Sequence, residues 1–156
     1  MQQPNLKVEF GPMNDKTMEL MKALNLALLP VHYNQYFYQK ALGYTKYSRF
    51  AYFNDIVVGG LICREEMKDD EKTLYILTFG VLDPYRKHGI GVQLFDELMN
   101  SAKKDPELKK IYLHVQTSNE KAIRFYEKVG FEIVEKIENY YQDIDPPHCL
   151  YLRKAI

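Results

Sequence analysis

Residues Thr73–Leu82 (TLYILTFGVL) form an almost wholly apolar run. Such a run reads as a strand buried on both faces, and a strand of that kind needs covering layers on either side. The flanking segments supply them. Upstream, Lys7–Phe10 reads as a short strand, and Asp15–Leu29 places Met18, Met21, Leu24 and Leu28 at helical spacing before Pro30 stops it. Tyr33–Leu42 is a weaker helix ending at Gly43, and Ser48–Phe53 and Ile56–Arg64 form a hairpin on Asn54-Asp55. The polar stretch Glu65–Lys72 reads as a loop and solvated surface, as does His148.

Downstream of Pro84, glycines open a helix whose apolar stripe is Leu94, Phe95, Leu98, Met99 and Ala102. Lys110–Gln116 alternates as a strand. A short helix follows, with capping-box spacing at Thr117 and Glu120, with Ala122, Ile123, Tyr126 and Val129 inward, and with Gly130 at its end. Phe131–Ile137 and Cys149–Leu152 complete the strands. The order β α α β β β α β α β β predicts an α/β (α+β mixed) fold in a single domain over residues 1–156. Its mixed sheet has about seven strands, flanked by about four helices.

A chain of 156 residues can bury a core without disulfide staples. Its 21 Lys+Arg balance 21 Asp+Glu, so no global field draws in nucleic acid or an anionic membrane. A charged ligand must instead be held by a local site. Two cysteines, Cys63 and Cys149, lie in apolar strand-like runs and read as reduced core thiols, with no metal site expected. The polar start Met1–Asn5 has no apolar h-region, and the apolar stretch Ala23–Val31 is too short to span a bilayer. These features predict an intracellular location and no membrane or nucleic-acid partner; the expected compartment is the cytoplasm, with the nucleus as a further one.

The segment Arg86-Lys87-His88-Gly89-Ile90-Gly91 joins the buried strand to the amphipathic helix. A helix start presents unpaired N–H groups and partial positive charge, and glycines let a phosphate approach the backbone. A plain tight turn is the alternative on this segment alone. A dinucleotide-binding fingerprint needs a third glycine where Leu94 stands, and a Walker A loop needs Lys-Ser/Thr where Val92-Gln93 stand. Both fail, which leaves R-x-x-G-x-G.

That pattern, followed about thirty residues on by Asn119-Glu120-Lys121-Ala122-Ile123-Arg124-Phe125-Tyr126-Glu127-Lys128-Val129-Gly130-Phe131, resembles the two hallmarks of the GCN5-related N-acetyltransferases (GNAT). Leu29–Asn34, Ala51–Ile56, Leu74–Ile76, Ile111–Gln116 and Asn139–Tyr141 extend the likeness over nearly the whole chain, toward the NatE (San) type of protein N-terminal acetyltransferase. Three positions depart from the usual pattern: Leu29, His32 and His88.

The resemblance implies a sheet splayed at its centre, acetyl-CoA as cosubstrate, no metal, and transfer of acetyl to nascent or free protein N-termini by direct attack on the thioester. A preference for an initiator Met followed by a hydrophobic residue is implied, with a slower lysine activity able to coexist. It places the general base on His114 and Tyr75, holding a water, and puts Tyr126 at the departing sulfur. Phe79, Gly80, Val81, Arg86, Lys87, His88, Gly89, Ile90, Gly91, Val92, Asn119 and Tyr126 are the implied cosubstrate contacts. Leu29, Pro30, Val31, Tyr33, Leu77, Tyr140 and Tyr141 are the implied peptide contacts. Implied partners are ribosome-associated NatA-type auxiliary and catalytic subunits.

By residues alone, His114 in a strand suits a structural histidine as well as a base, and Tyr75 and Tyr126 suit core packing. Asn119 suits either a pantetheine contact or a helix cap. A base near neutrality fits the task, because an α-amine of pKa about 7.7–8.0 is already about 10–15% neutral at pH 7. Two other functions fit the same motifs: lysine or small-amine acetylation, and a noncatalytic CoA-binding scaffold subunit.

Overall fold

The computed structural model describes residues 4–30 and 32–156. Seven strands form a sheet in the order β1-β2-β3-β4-β5-β7-β6. They are β1 (Glu9–Pro12), β2 (Arg49–Phe53), β3 (Ile56–Lys68), β4 (Glu71–Val81), β5 (Leu108–Gln116), β6 (Glu132–Ile137) and β7 (Cys149–Ala155). Among the described residues four α-helices accompany them, α1 (Met18–Leu28), α2 (Gln35–Ala41), α3 (Ile90–Ala102) and α4 (Glu120–Lys128), with a short 3-10 turn at Asp83–Tyr85. Registers are antiparallel for β1–β2, β2–β3, β5–β7 and β6–β7, and parallel for β4–β5. The mixed, mostly antiparallel sheet of the expected element order is therefore present.

The chain divides into two compact units, one of Met1–Arg64 with Ile76–Asp105 and one of Glu65–Tyr75 with Pro106–Ile156. In the first, α1 and α2 share an apolar cluster of Met13, Met18, Met21, Leu24, Tyr38, Ala41, Phe50 and Ile62. Phe50, Met21 and Ile62 are fully buried, which accounts for most of what holds α1 in place, since an eleven-residue helix is marginal by itself. Helix α3 turns Leu94, Phe95, Leu98 and Ala102 inward and packs on β2. Within this unit β3 and β4 approach closely: a Cβ added at Gly59 would lie 2.9 Å from the Gly80 carbonyl oxygen. Backbone cannot yield as a side-chain end does. Gly59→Ala is expected to lower the unfolding free energy by about 1–3 kcal/mol, read by chemical denaturation. A neutral result would mean the strands can part at this point.

In the second unit β5 pairs with β4 from Lys72↔Leu108 to Tyr75↔Tyr112, and with β7 over its whole length from Lys110↔Ala155 to Gln116↔Cys149. The β4–β5 ladder stops at Tyr75 and Tyr112, although β5 runs on to Gln116. Ile111, Leu113, Val115 and Leu152 fill the core on one face. Helix α4 buries Tyr126 and exposes its charged side.

Of the boundaries that differ from expectation, two have a direct physical reason. The first strand begins at Glu9 rather than Lys7, because Leu6 instead donates its N–H to the His88 carbonyl at 3.0 Å. Glu65–Lys72 is not a loop. β3 continues to Lys68 and β4 begins at Glu71, leaving Asp69 and Asp70, both at positive φ (53° and 61°), as a two-residue turn. Asn54-Asp55 makes the same turn (φ 48° and 65°), as expected there. Cys63 and Cys149 are buried thiols; burial, then the Glu135 carboxylate, pushes Cys149 up to about 11.

Candidate active site

His114 and Tyr75 meet in the second unit. Tyr75 stands at the last paired position of β4, and His114 lies two residues past its partner on β5, on the same face. The Tyr75 hydroxyl and His114 Nδ1 are 2.9 Å apart, so the two groups share a hydrogen bond directly. Among the described residues no hydrogen bond involves Nε2. If Nδ1–H donates to the tyrosine oxygen, Nε2 is the basic atom. If the hydroxyl donates to Nδ1, a proton passing through Tyr75 reaches the ring.

Aromatic rings enclose the imidazole. Tyr140 stacks on it at 4.6 Å and 20°, with its hydroxyl 3.5 Å from Nδ1. Tyr151, directly opposite in the β7 register, lies 5.6 Å away between centroids, and Tyr112 lies 6.4 Å away. His114 is lowered below its ordinary 6.5, chiefly by burial and next by the charge of Lys68; Glu135 and Glu66 act in the opposite sense. A neutral imidazole beside a phenol is what a proton acceptor for an amine requires.

Glu66 and Lys68 were missed as site residues because their segment reads as polar loop. In β3 they are half-buried while Glu65 and Met67 are exposed. Tyr112 donates its hydroxyl to Glu66, and Lys68 Nζ lies 4.4 Å from the ring centroids of both Tyr112 and Tyr151. The signal that would have found them is Asp69-Asp70 read as a hairpin turn, as Asn54-Asp55 was. His148 is likewise not simply solvated: its Nδ1 accepts the Asn139 N–H at 3.1 Å and its carbonyl accepts the Thr117 N–H at 3.0 Å.

Asn119, not Thr117, caps α4, its side chain accepting the Ala122 N–H at 3.3 Å. Tyr126 is buried with its ring 5.4 Å from Phe131, and burial raises its phenol far above the ordinary 10.0. It therefore stays protonated, as a packing residue and a proton donor both would. Tyr141 donates its N–H to the Pro147 carbonyl at 2.8 Å and sets its ring edge-on to Tyr140 at 5.0 Å.

The first unit holds the glycine loop. Gly89 is the N-cap of α3 at φ 76°, and Lys87 is also left-handed at φ 67°. Among the described residues no hydrogen bond takes up the N–H groups of Lys87 through Val92. Consecutive unpaired amides at the start of a thirteen-residue helix form the donor set a diphosphate needs, so the residues present fit that group. Arg86 is held to one side, its Nε donating to the Val81 carbonyl at 2.9 Å and its guanidinium pairing with Asp83 at 3.2 Å. His88 contacts the Pro4 carbonyl through Nδ1 at 2.8 Å. Phe79 and Gly80, half-buried, and buried Val81 are the last strand residues before this loop.

The implied peptide contacts of the same unit cluster after α1. Leu29 is the C-cap of α1 and half-buried, Pro30 is exposed, and Val31 lies outside the described residues. Tyr33 stacks on Phe37 at 4.1 Å and, with Lys22, Asn25, Leu26, His32, Gln35 and Tyr38, lines a cavity of about 160 Å³. Leu77 packs against the apolar cluster. Among the described residues no group of His, Cys, Asp and Glu is placed to hold a metal, and no helix is long and apolar enough to cross a membrane.

An imidazole–phenol pair can take an amine's proton, and an amide-lined helix start can hold a diphosphate; both are parts that acyl transfer from a nucleotide-bearing donor requires. The sequence pattern of the Acetyltransferase (GNAT) family matches residues 15–131, and the chain belongs to that family of acetyl-CoA-dependent acyltransferases. It is 43% identical over 150 residues to N-alpha-acetyltransferase 50 of Danio rerio, covering 96% of this chain and 89% of that protein. It is 42% identical over 149 residues to the probable N-acetyltransferase san of Drosophila melanogaster, covering 96% and 81%. Arabidopsis thaliana Naa50, solved with the bisubstrate analogue CoA-Ac-MVNAL, superposes with a TM-score of 0.88 at 42% identity, over 97% of this chain and all of that one.

Proposed function

We propose that this chain acetylates the α-amine of protein N-termini and favours an initiator Met followed by a hydrophobic residue. The observation that carries the chemistry is the 2.9 Å contact between Tyr75 and His114 Nδ1, with an imidazole held below its ordinary pKa. His114 takes the amine's proton, directly, through Tyr75, or through a water held by the pair. The α-amine suits so mild a base, whereas a lysine amine of pKa about 10.4 is almost wholly charged at pH 7. Likeness at 42–43% identity to N-alpha-acetyltransferase 50 and san supports the N-terminal acceptor, and an analogue whose peptide part begins Met-Val supports the preference.

Acetyl-CoA supplies an acetyl group activated as a thioester. Main-chain amides of Lys87–Val92 hold its diphosphate, with Lys87 adding positive charge and Arg86 shaping the loop through its bond to the Val81 carbonyl. Tyr126, kept protonated by burial, steadies the departing sulfur as a hydrogen-bond donor. Phe79–Val81 and Asn119 contact the pantetheine arm. Leu29, Pro30, Val31 and Leu77 receive the leading side chain, and Tyr33, Tyr140 and Tyr141 grip the peptide backbone. We further assign the NatE type, a cytoplasmic and nuclear location, and association with NatA-type subunits.

The test is a rate comparison on peptides beginning Met-Leu against the same peptides N-blocked and carrying an internal lysine. At pH 7.5 the free N-termini are expected to turn over at least tenfold faster. Faster acetylation of the blocked peptides makes this a lysine enzyme, and acetyl-CoA binding without turnover on either makes it a scaffold subunit.

A further inference from the structure

Lys68 is an odd residue to find beside a base. It reaches from β3 over the second unit's aromatic cluster, 4.4 Å from the Tyr112 centroid and 4.4 Å from that of Tyr151. Those are two of the rings that wall His114. Among the described residues no carboxylate lies within ion-pair distance of Lys68. Glu66, two positions away on the same face, is engaged at the hydroxyl edge of Tyr112 instead. Anion and cation thus grip one ring at different places, edge and face. A ring face attracts an ammonium, which sets the Lys68 head group beside the rings that wall the imidazole.

We infer that Lys68 is a positioning residue for the His114 base, its ammonium bracing the Tyr112 and Tyr151 walls and setting the field in which the imidazole works. This rests on the reading of His114 as the base. Charged or titratable groups face His114 from each packed element: Glu66 and Lys68 on β3, Tyr75 on β4, Tyr112 on β5, Glu135 on β6, Tyr151 on β7, and Tyr140 after β6. Among them Lys68 alone opposes the imidazolium by charge, adding to the larger effect of burial, while Glu135 and Glu66 favour it. Removing the lysine charge therefore makes His114 easier to protonate, so the base is lost at a higher pH.

The experiment pairs Lys68→Met with Lys68→Arg. One readout is kcat/KM against pH on a single Met-Leu peptide, so the acceptor's own titration is common to all enzymes. The other is an NMR titration of carbon-13-labelled histidine, with His114→Gln identifying the resonance. In Lys68→Met the His114 titration is expected to move to higher pH. Its ratio of rates between pH 8 and pH 6 is expected to rise roughly threefold over wild type. Lys68→Arg is expected to restore both. An unmoved titration and an unmoved profile in Lys68→Met overturn the inference. A lower plateau with unmoved profile in both variants also overturns it, since that is a purely structural role. A titration that moves while the rate profile does not supports the Lys68–His114 coupling and overturns the assignment of His114 as base.

Discussion

Replacing His114 with alanine is expected to lower kcat by roughly 10²–10⁴-fold, the range a positioned general base supplies, while leaving acetyl-CoA affinity unchanged. The substitution removes the imidazole from a ring cage and leaves the Tyr75 hydroxyl without its 2.9 Å partner. The amide-bearing loop at Lys87–Val92 is not part of that cage. The defect is expected to narrow toward pH 9, where most α-amines are already neutral. The wild-type profile carries the matching sign. A base held below 6.5 stays neutral, and so competent, to lower pH than an ordinary histidine, so the acid limb falls below 6.5. Steady-state kinetics from pH 5.5 to 9, with calorimetry for acetyl-CoA, measure both. Near-normal turnover of the variant at pH 7 would remove His114 from the chemistry.

Gly89→Glu is expected to weaken acetyl-CoA binding by at least about a hundredfold. Three effects act together. A residue other than glycine at φ 76° costs about 1–2 kcal/mol. Its Cβ would lie 2.7 Å from Asn5 Oδ1, so the Asn5 side-chain amide must move. A carboxylate at the start of α3 also occupies the place where unpaired amides favour an anion. Gly89→Ala carries the first two effects without the charge and is expected to fall between wild type and glutamate. Thermal shift with acetyl-CoA and circular dichroism of the free proteins read the result. A folded Gly89→Glu protein that acetyl-CoA stabilises as it does wild type would show that the diphosphate is not held at this loop.

Much of the architecture is legible before any coordinates because it rests on local rules. Period 3.6 in Met18, Met21 and Leu24 marks α1, and each of these is buried. Asn54-Asp55 marks a hairpin through its tolerance of positive φ, and Gly130 ends α4 at φ 105°. The same rules misplace Glu65–Lys72, where charge in the sequence outweighs the Asp69-Asp70 turn signal. Residues of β3 that look solvated are held half-buried by Tyr112 and Tyr151, partners distant in sequence. At α4 the capping spacing of Thr117 and Glu120 competes with Asn119, and it is the Asn119 side chain that takes up the Ala122 N–H.

The residues alone were sufficient for the element order and the glycine loop, because periodicity and turn chemistry act over a few neighbouring positions; His114 and Tyr75 became candidates only through the resemblance to the acetyltransferases. Only the tertiary structure decided that the two side chains touch, that Tyr140 stacks on the imidazole, and that Lys68 and Glu66 hold the ring beside it at its face and its edge. These depend on strand register and on burial, which set desolvation and through-space charge, and neither quantity is carried by any short stretch of chain.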